Sequence, residues 1–116
     1  MTILSVVVIT AFLAITISGC KKKCSGEDPR ARIINNGMNK AGVQIKTSGG
    51  NTVNINDVAA GSSSDYNSYA AGQVTFTVKI NNVDYSKTVD MSQCFDYDIA
   101  IDVNNNITTT PSDRDE

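Results

Sequence analysis

Residues 74–80 alternate strictly: Val74, Phe76, Val78 and Ile80 are apolar, and Thr75, Thr77 and Lys79 between them are polar. Successive side chains of a strand point to opposite faces, so a period of two marks a strand with one buried and one wet face. The alternation returns at residues 95–103, where Phe95, Tyr97, Ile99, Ile101 and Val103 form the inward row and Asp96, Asp98 and Asp102 stand opposite. Helical periodicity is absent from residue 30 onward, and Gly or Asn separates the short runs.

Reading along the chain, strands are expected at 31–35, 43–47, 52–58, 63–69, 74–80, 83–89, 95–103 and 107–110. Val43, Ile45, Val53 and Ile55 face inward in the second and third, which join through the Gly-rich turn Ser48-Gly49-Gly50-Asn51. The apolar phase breaks at Asn56-Asp57-Val58, which marks a bulge or a strand end. Asn81-Asn82 makes a tight turn, because Asn tolerates positive φ, and Asn104-Asn105-Asn106 makes another. Seven or eight short strands with one apolar face each predict an all-β fold of two antiparallel sheets packed face to face, an immunoglobulin-like or transthyretin-like sandwich. A small barrel has the same periodicity and stays open as the alternative.

The chain has 116 residues, and its charges are unevenly placed: none occurs before Lys21. Residues 3–17 are an apolar run, shorter than the roughly 20 residues a bilayer span needs. The run ends in Ile17-Ser18-Gly19-Cys20, two small residues followed by a thiol. This resembles the lipobox of bacterial lipoproteins. The resemblance implies cleavage before Cys20, acylation of Cys20 and a location in the cell envelope; Lys21 stands where some bacterial lipoproteins carry an Asp that retains them at the inner membrane, so the outer membrane, with the protein facing the periplasm or the surface, is expected while the final membrane stays open. Several acyl chains, at about 0.8 kcal/mol per buried methylene, hold a protein firmly. The chain departs from the usual pattern in lacking Lys or Arg before the apolar run, while Lys21-Lys22-Lys23 follows it. That departure leaves an uncleaved anchor as the rival reading, and under the lipoprotein reading it predicts that translation starts upstream of Met1.

The expected organisation is a signal peptide at 1–19, a lipidated flexible tether at 20–29, a β-sandwich at 30–110 and a disordered tail at 111–116. The three lysines of the tether match the anionic headgroups beside a lipid anchor. With Cys20 taken by lipid, Cys24 and Cys94 remain as an even pair for a disulfide in an oxidising compartment. Such a bond would close a loop of about 70 residues and contribute roughly 4 kcal/mol on the chain-entropy account.

A second resemblance lies within the domain. The order Arg32-Ile33-Ile34-Asn35, then Val43-Gln44-Ile45 before a Gly turn, then residues 56–66 (NDVAAGSSSDY) and 70–78 (AAGQVTFTV), is similar to a family of uncharacterised bacterial lipoprotein domains. Where that family carries an Asp-Ala-Pro stretch after the first strand, this chain has residues 36–42, NGMNKAG. The resemblance implies a sandwich fold and an envelope location, and no activity.

Composition narrows the function further. With no His, Ser-His-Asp and Cys-His catalysis and every His-metal site are excluded. A net charge of -2 argues against nucleic acid as the partner. Asp96, Asp98 and Asp102 share a strand face at roughly 7 Å steps and are either a solvated face or oxygens for Ca²⁺. Asp57, Asp65, Asp84 and Asp90 fall near turns, and Ser62-Ser63-Ser64 has no partner base. Tyr66 and Tyr69 occupy opposite phases of one strand, so at least one is expected to face outward and to offer a stacking or interface side chain. No catalytic residue, metal site or cofactor is expected. The expected function is a lipid-anchored, non-catalytic module that meets an envelope protein as adaptor, inhibitor or structural component, through the polar residues 62–69. The alternative is a glycan-binding accessory of a surface uptake system.

Overall fold

The computed structural model describes residues 24–115. The apolar run, Cys20 and the three lysines lie outside them. Eight strands are present: β1 (Arg30–Asn35), β2 (Ala41–Lys46), β3 (Thr52–Val58), β4 (Asn67–Ser68), β5 (Gly72–Ile80), β6 (Val83–Met91), β7 (Phe95–Ile101) and β8 (Ile107–Asp113). They form two four-stranded sheets, ordered β4-β1-β7-β8 and β3-β2-β5-β6, with no helix among the described residues. The all-β two-sheet sandwich expected from the alternation is therefore present. All pairings are antiparallel except β1 with β7, which run parallel from Arg30↔Asp96 to Asn35↔Ile101. Strand alternation cannot reveal that exception, because parallel and antiparallel neighbours share the same period.

The core is the sum of the alternating rows. Ile33, Ile45, Val74, Phe76, Val78, Ile99 and Ile101 are almost wholly buried between the sheets. Among the described residues the buried core cluster runs from Ala31 to Ile101, with Ile107 of β8 packed against it. Tyr97 brings its hydroxyl inside and uses it: the oxygen accepts the Ser92 N–H at 2.7 Å, bracing the β6–β7 turn. Asn35 is fully buried and joins three segments at the far end. Its Nδ2 donates to the carbonyls of Asn39 and Val58 at 2.8 and 2.9 Å, and its Oδ1 accepts the Gly37 N–H at 2.9 Å.

Local backbone geometry follows the turn chemistry. Asn81 and Asn82 both have positive φ, 51° and 66°, and join β5 to β6 in a two-residue turn whose twist matches the strands. The break at 56–58 is a bulge: the β2–β3 register passes from Val43↔Ile55 to Ala41↔Val58, and Asp57 has φ 42°.

Four expectations change. The strand expected over 63–69 is reduced to β4 and one bridge, Ile34↔Ser63, because the side chains between them turn back onto β1. The tail expected to be disordered from 111 continues β8 to Asp113; an edge strand tolerates Pro111, whose ring nitrogen has no proton to pair. The tether expected over 20–29 is fixed from Cys24 onward by the Cys24–Cys94 disulfide, by Cys94 N–H donating to Glu27 O at 3.0 Å, and by the burial of Pro29. Val53 and Val103, expected inside, are exposed: β3 is the edge of its sheet, and β7 ends at Ile101 before Val103.

Candidate functional site

The parallel register of β1 and β7 sets two arginines beside two aspartates on the outer face of the first sheet. Arg30 Nε and Nη2 donate to the two carboxylate oxygens of Asp96 at 2.8 and 2.7 Å. One step along, Arg32 Nε and Nη2 donate to Asp98 at 2.9 and 3.3 Å. Both pairs are bidentate, the strongest common form of a guanidinium–carboxylate contact. Tyr66, on the connection from β3 to β4, lies over them: its ring centre is 5.4 Å from the Arg30 guanidinium carbon and 4.8 Å from that of Arg32. Its hydroxyl donates to Asp98 Oδ1 at 2.6 Å. Arg114, just past β8, closes the near end, with Nε 3.3 Å from Asp96 Oδ1 and Nη2 donating to Asp28 O at 2.6 Å.

The protonation equilibria reflect this closure. Burial acts to raise the Asp98 pKa, but hydrogen bonds from Arg32 and Tyr66, with the charge of Arg32, outweigh it and hold the carboxyl below its ordinary value. The hydrogen bond to Asp98 raises the Tyr66 phenol, with burial second. The same contacts, led by the Asp98 hydrogen bond, raise Arg32. Such a cluster holds its charges in place and presents no free nucleophile or base.

The three aspartates read as one face are thus divided. Asp96 and Asp98 are occupied by arginines, and Asp102 caps the β7–β8 turn by accepting the N–H groups of Asn104 and Asn106 at 2.8 and 2.9 Å. Those backbone hydrogen bonds, the one from Asn106 foremost, lower its pKa. Among the described residues no group of three His, Cys, Asp or Glu could hold a metal ion. Tyr66 and Tyr69 are separated as well: Tyr66 is half-buried on the outer face, whereas Tyr69 is buried in the core with its hydroxyl unpartnered. Residues 62–69 are largely spent on β1, with Ser64 Oγ accepting the Ile33 N–H and Ser64 N–H donating to Ile33 O. Sequence reasoning did not single out Arg30 and Arg32. Their signal was the matching period, R-x-R in the first strand and D-x-D in the seventh.

The second sheet offers the free surfaces. Across its outer face Asn54, Gln44, Thr77 and Ser86 form one cross-strand row of uncharged polar side chains. Next to that row lies an open depression of ≈ 290 Å³, whose lining includes Gly42, Asn56, Thr77 and Lys79. The side of the sheet is open too. β3 ends the sheet, and the hairpin closes with Thr47 N–H donating to Asn51 O at 2.9 Å. Alternation from that pair turns the backbone groups of Val53 and Ile55 toward β2 and those of Thr52 and Asn54 outward.

No protein-family model matches the chain, and no curated protein matches it. Among solved structures, the NMR structure of a protein from Eubacterium rectale is similar, with a TM-score of 0.54 and 14% identity. The match covers 76% of this chain and 91% of that one. At this identity the likeness shows the fold alone. Among the described residues no helix is long and apolar enough to cross a membrane.

Proposed function

We propose that this chain is a lipid-anchored envelope protein whose sandwich is a non-catalytic module that binds a protein partner along the open β3 edge. The observation that carries the binding half is the edge itself: Thr52 and Asn54 direct backbone donors and acceptors outward, and Val53 stands 38% exposed beside them. An extended segment adding to such an edge gains main-chain hydrogen bonds and covers the apolar side chain. The aspartate row of β7 is taken up, Asp96 by Arg30 and Asp98 by Arg32, and Asp102 caps the next turn. The anchoring half rests on Ile17-Ser18-Gly19-Cys20 after the apolar run. Only three residues, Lys21 to Lys23, separate Cys20 from Cys24, and the four steps between them span at most about 14 Å of extended chain. Acylation at Cys20 thus sets the end of the sandwich that carries Cys24 and Cys94 against the bilayer.

Glycan binding is the second reading, favoured by the amide and hydroxyl row of Asn54, Gln44 and Thr77 beside the depression at Gly42. It ranks lower because no aromatic ring lines that depression to stack on a sugar. Two measurements test the proposal together. The mass of the envelope-extracted protein should lack residues 1–19 and carry acyl chains, and Cys20→Ala should remove both changes. A photo-crosslinker at position 53 should yield a protein adduct in the envelope, and Asn54→Pro should abolish it, since proline deletes an outward N–H and leaves the β2 ladder whole. An unprocessed wild-type chain refutes the anchor, and an adduct unaffected by Asn54→Pro refutes the edge.

A further inference from the structure

The four sheet edges of this sandwich are not equally defended. β4 is only two residues long, and β8 carries Pro111, which removes a donor. β6 carries Asp84, Lys87 and Asp90; antiparallel pairing of two such strands about Lys87 sets Lys87 on its own copy and Asp84 on Asp90. Like charges placed opposite one another disfavour pairing. β3 has none of these devices over Thr52-Val53-Asn54-Ile55-Asn56, and its only protection is the bulge at Asp57 beyond them.

That segment is also complementary to itself. Two copies aligned antiparallel about Asn54 place Val53 opposite Ile55 of the second copy and Thr52 opposite Asn56 of the second copy. Apolar meets apolar on the core side, and polar meets polar on the outer face. The hydrogen-bond phase agrees, because Asn54 turns its N–H and C=O outward and two such residues facing each other exchange both bonds. Val53 and Ile55 then fall at a non-hydrogen-bonded pair, where side chains approach most closely. Val53, 38% exposed at the sheet edge, gains a cover, and no charged residue lies within the paired segment.

We propose that the β3 edge takes a second copy of this chain, antiparallel and in register about Asn54, to give one continuous eight-stranded sheet. The inference rests on the edge reading above and names its occupant. Its symmetry has a consequence for the membrane. The two-fold axis of an antiparallel pair stands normal to the sheet, so the two Cys24 ends lie at opposite ends of the joint sheet. Both reach one membrane when the sandwiches lie with their sheets along its surface, not when they stand upright. Anchoring both copies in one plane raises their effective concentration and favours a contact of this small size.

The test uses the full chain with Cys20→Ser, kept in detergent micelles on account of its apolar run. Sedimentation velocity across a concentration series should show reversible monomer–dimer exchange, and Asn54→Pro should weaken it by roughly 10- to 30-fold through loss of two N–H donors per pair. Unchanged thermal unfolding of Asn54→Pro confirms that the fold survives. Independently, Asn54→Cys supplies a single free thiol for a spin label, and in the proposed register the two labelled Cα atoms stand about 5.5 Å apart, giving strong dipolar broadening that dilution removes. Broadening with the Pro-sensitive dimer supports the inference. A chain that stays monomeric, or a dimer with no broadening at position 54, overturns it. If in that case the envelope adduct at position 53 still disappears with Asn54→Pro, the edge reading stands with another occupant; if the adduct ignores Asn54→Pro, both fall.

Discussion

Opening the Cys24–Cys94 bond should cost this domain a large share of its stability, and should do so through the unfolded chain. The two cysteines are separated by 70 positions, so the bond closes a loop spanning nearly the whole sandwich. The chain-entropy relation gives about 4 kcal/mol at 25 °C for a loop of that length. Against a total of about 5–15 kcal/mol for an ordinary domain, that is a large share. The native contacts of the bridged segment do not depend on the bond. Cys94 N–H still reaches Glu27 O, Arg114 still reaches Asp28 O, and Pro29 stays buried. The double variant Cys24→Ser/Cys94→Ser should therefore fold to the same spectrum but unfold roughly 15–30 °C lower. Its urea dependence should steepen, because the uncrosslinked unfolded chain exposes more surface. Urea titration of both proteins by circular dichroism measures the difference. A loss under about 1 kcal/mol with an unchanged slope would refute the unfolded-state account and place the bond's contribution in local contacts at the end of the sandwich.

The outer-face cluster yields two expectations. Tyr66→Phe keeps the ring over Arg30 and Arg32 but removes the 2.6 Å hydrogen bond to Asp98, for a loss of about 1 kcal/mol by urea titration. The folded-state pKa of Asp98 lies below its unfolded value, so its contribution is present above about pH 4 and is lost as the pH falls through the folded value; NMR titration should show that Tyr66→Phe moves the Asp98 transition up and makes acid unfolding begin at higher pH. In the core, Asn35→Ala should destabilise by about 2–4 kcal/mol, because the carbonyls of Asn39 and Val58 lose a buried donor, and an effect below 1 kcal/mol would contradict the joining role of that side chain. Tyr69→Phe should be neutral or stabilising by up to about 1 kcal/mol, since its buried hydroxyl has no partner to lose.

The parts of the fold that were legible in the sequence are those set by short range. The inward row Val74, Phe76, Val78 and Ile80 is buried throughout, Asn81-Asn82 turns as positive φ allows, and the broken phase at Asn56-Asp57 is a bulge. Each depends on side-chain alternation or on the backbone freedom of one residue type. What escaped depends on which strands become neighbours. Arg30 and Arg32 sit 66 positions from Asp96 and Asp98, and nothing in either strand announces that they run parallel and side by side. The inward expectation for Val53 failed for the same reason: its phase is right, but β3 lies at the edge of its sheet, where Val53 stays 38% exposed. Of Tyr66 and Tyr69, at least one was expected to face outward, and Tyr66 is that one. The arginines beneath it account for its half-burial.

Under the lipid-anchored reading, the disulfide also decides how force reaches the sandwich. A pull at Cys20 passes along residues 20–24 and meets the bond at Cys24, which delivers it to Cys94 at the start of β7. β7 is an inner strand, held by β1 on one side and β8 on the other. Without the bond the same pull runs on through residues 25–29 into the end of β1, loading Arg30↔Asp96 first. Arg30, Arg114 and Glu27 meet at that end, so the salt bridges and the bond reinforce the same corner against the same load. Exposed ion pairs contribute little one at a time, but here a covalent link bears the tension while the Arg–Asp contacts keep β1 and β7 aligned. Under this reading the corner that meets the bilayer is cross-linked by the disulfide and these ion pairs, while β3, at the edge of the other sheet, keeps its outward backbone groups free for a second chain.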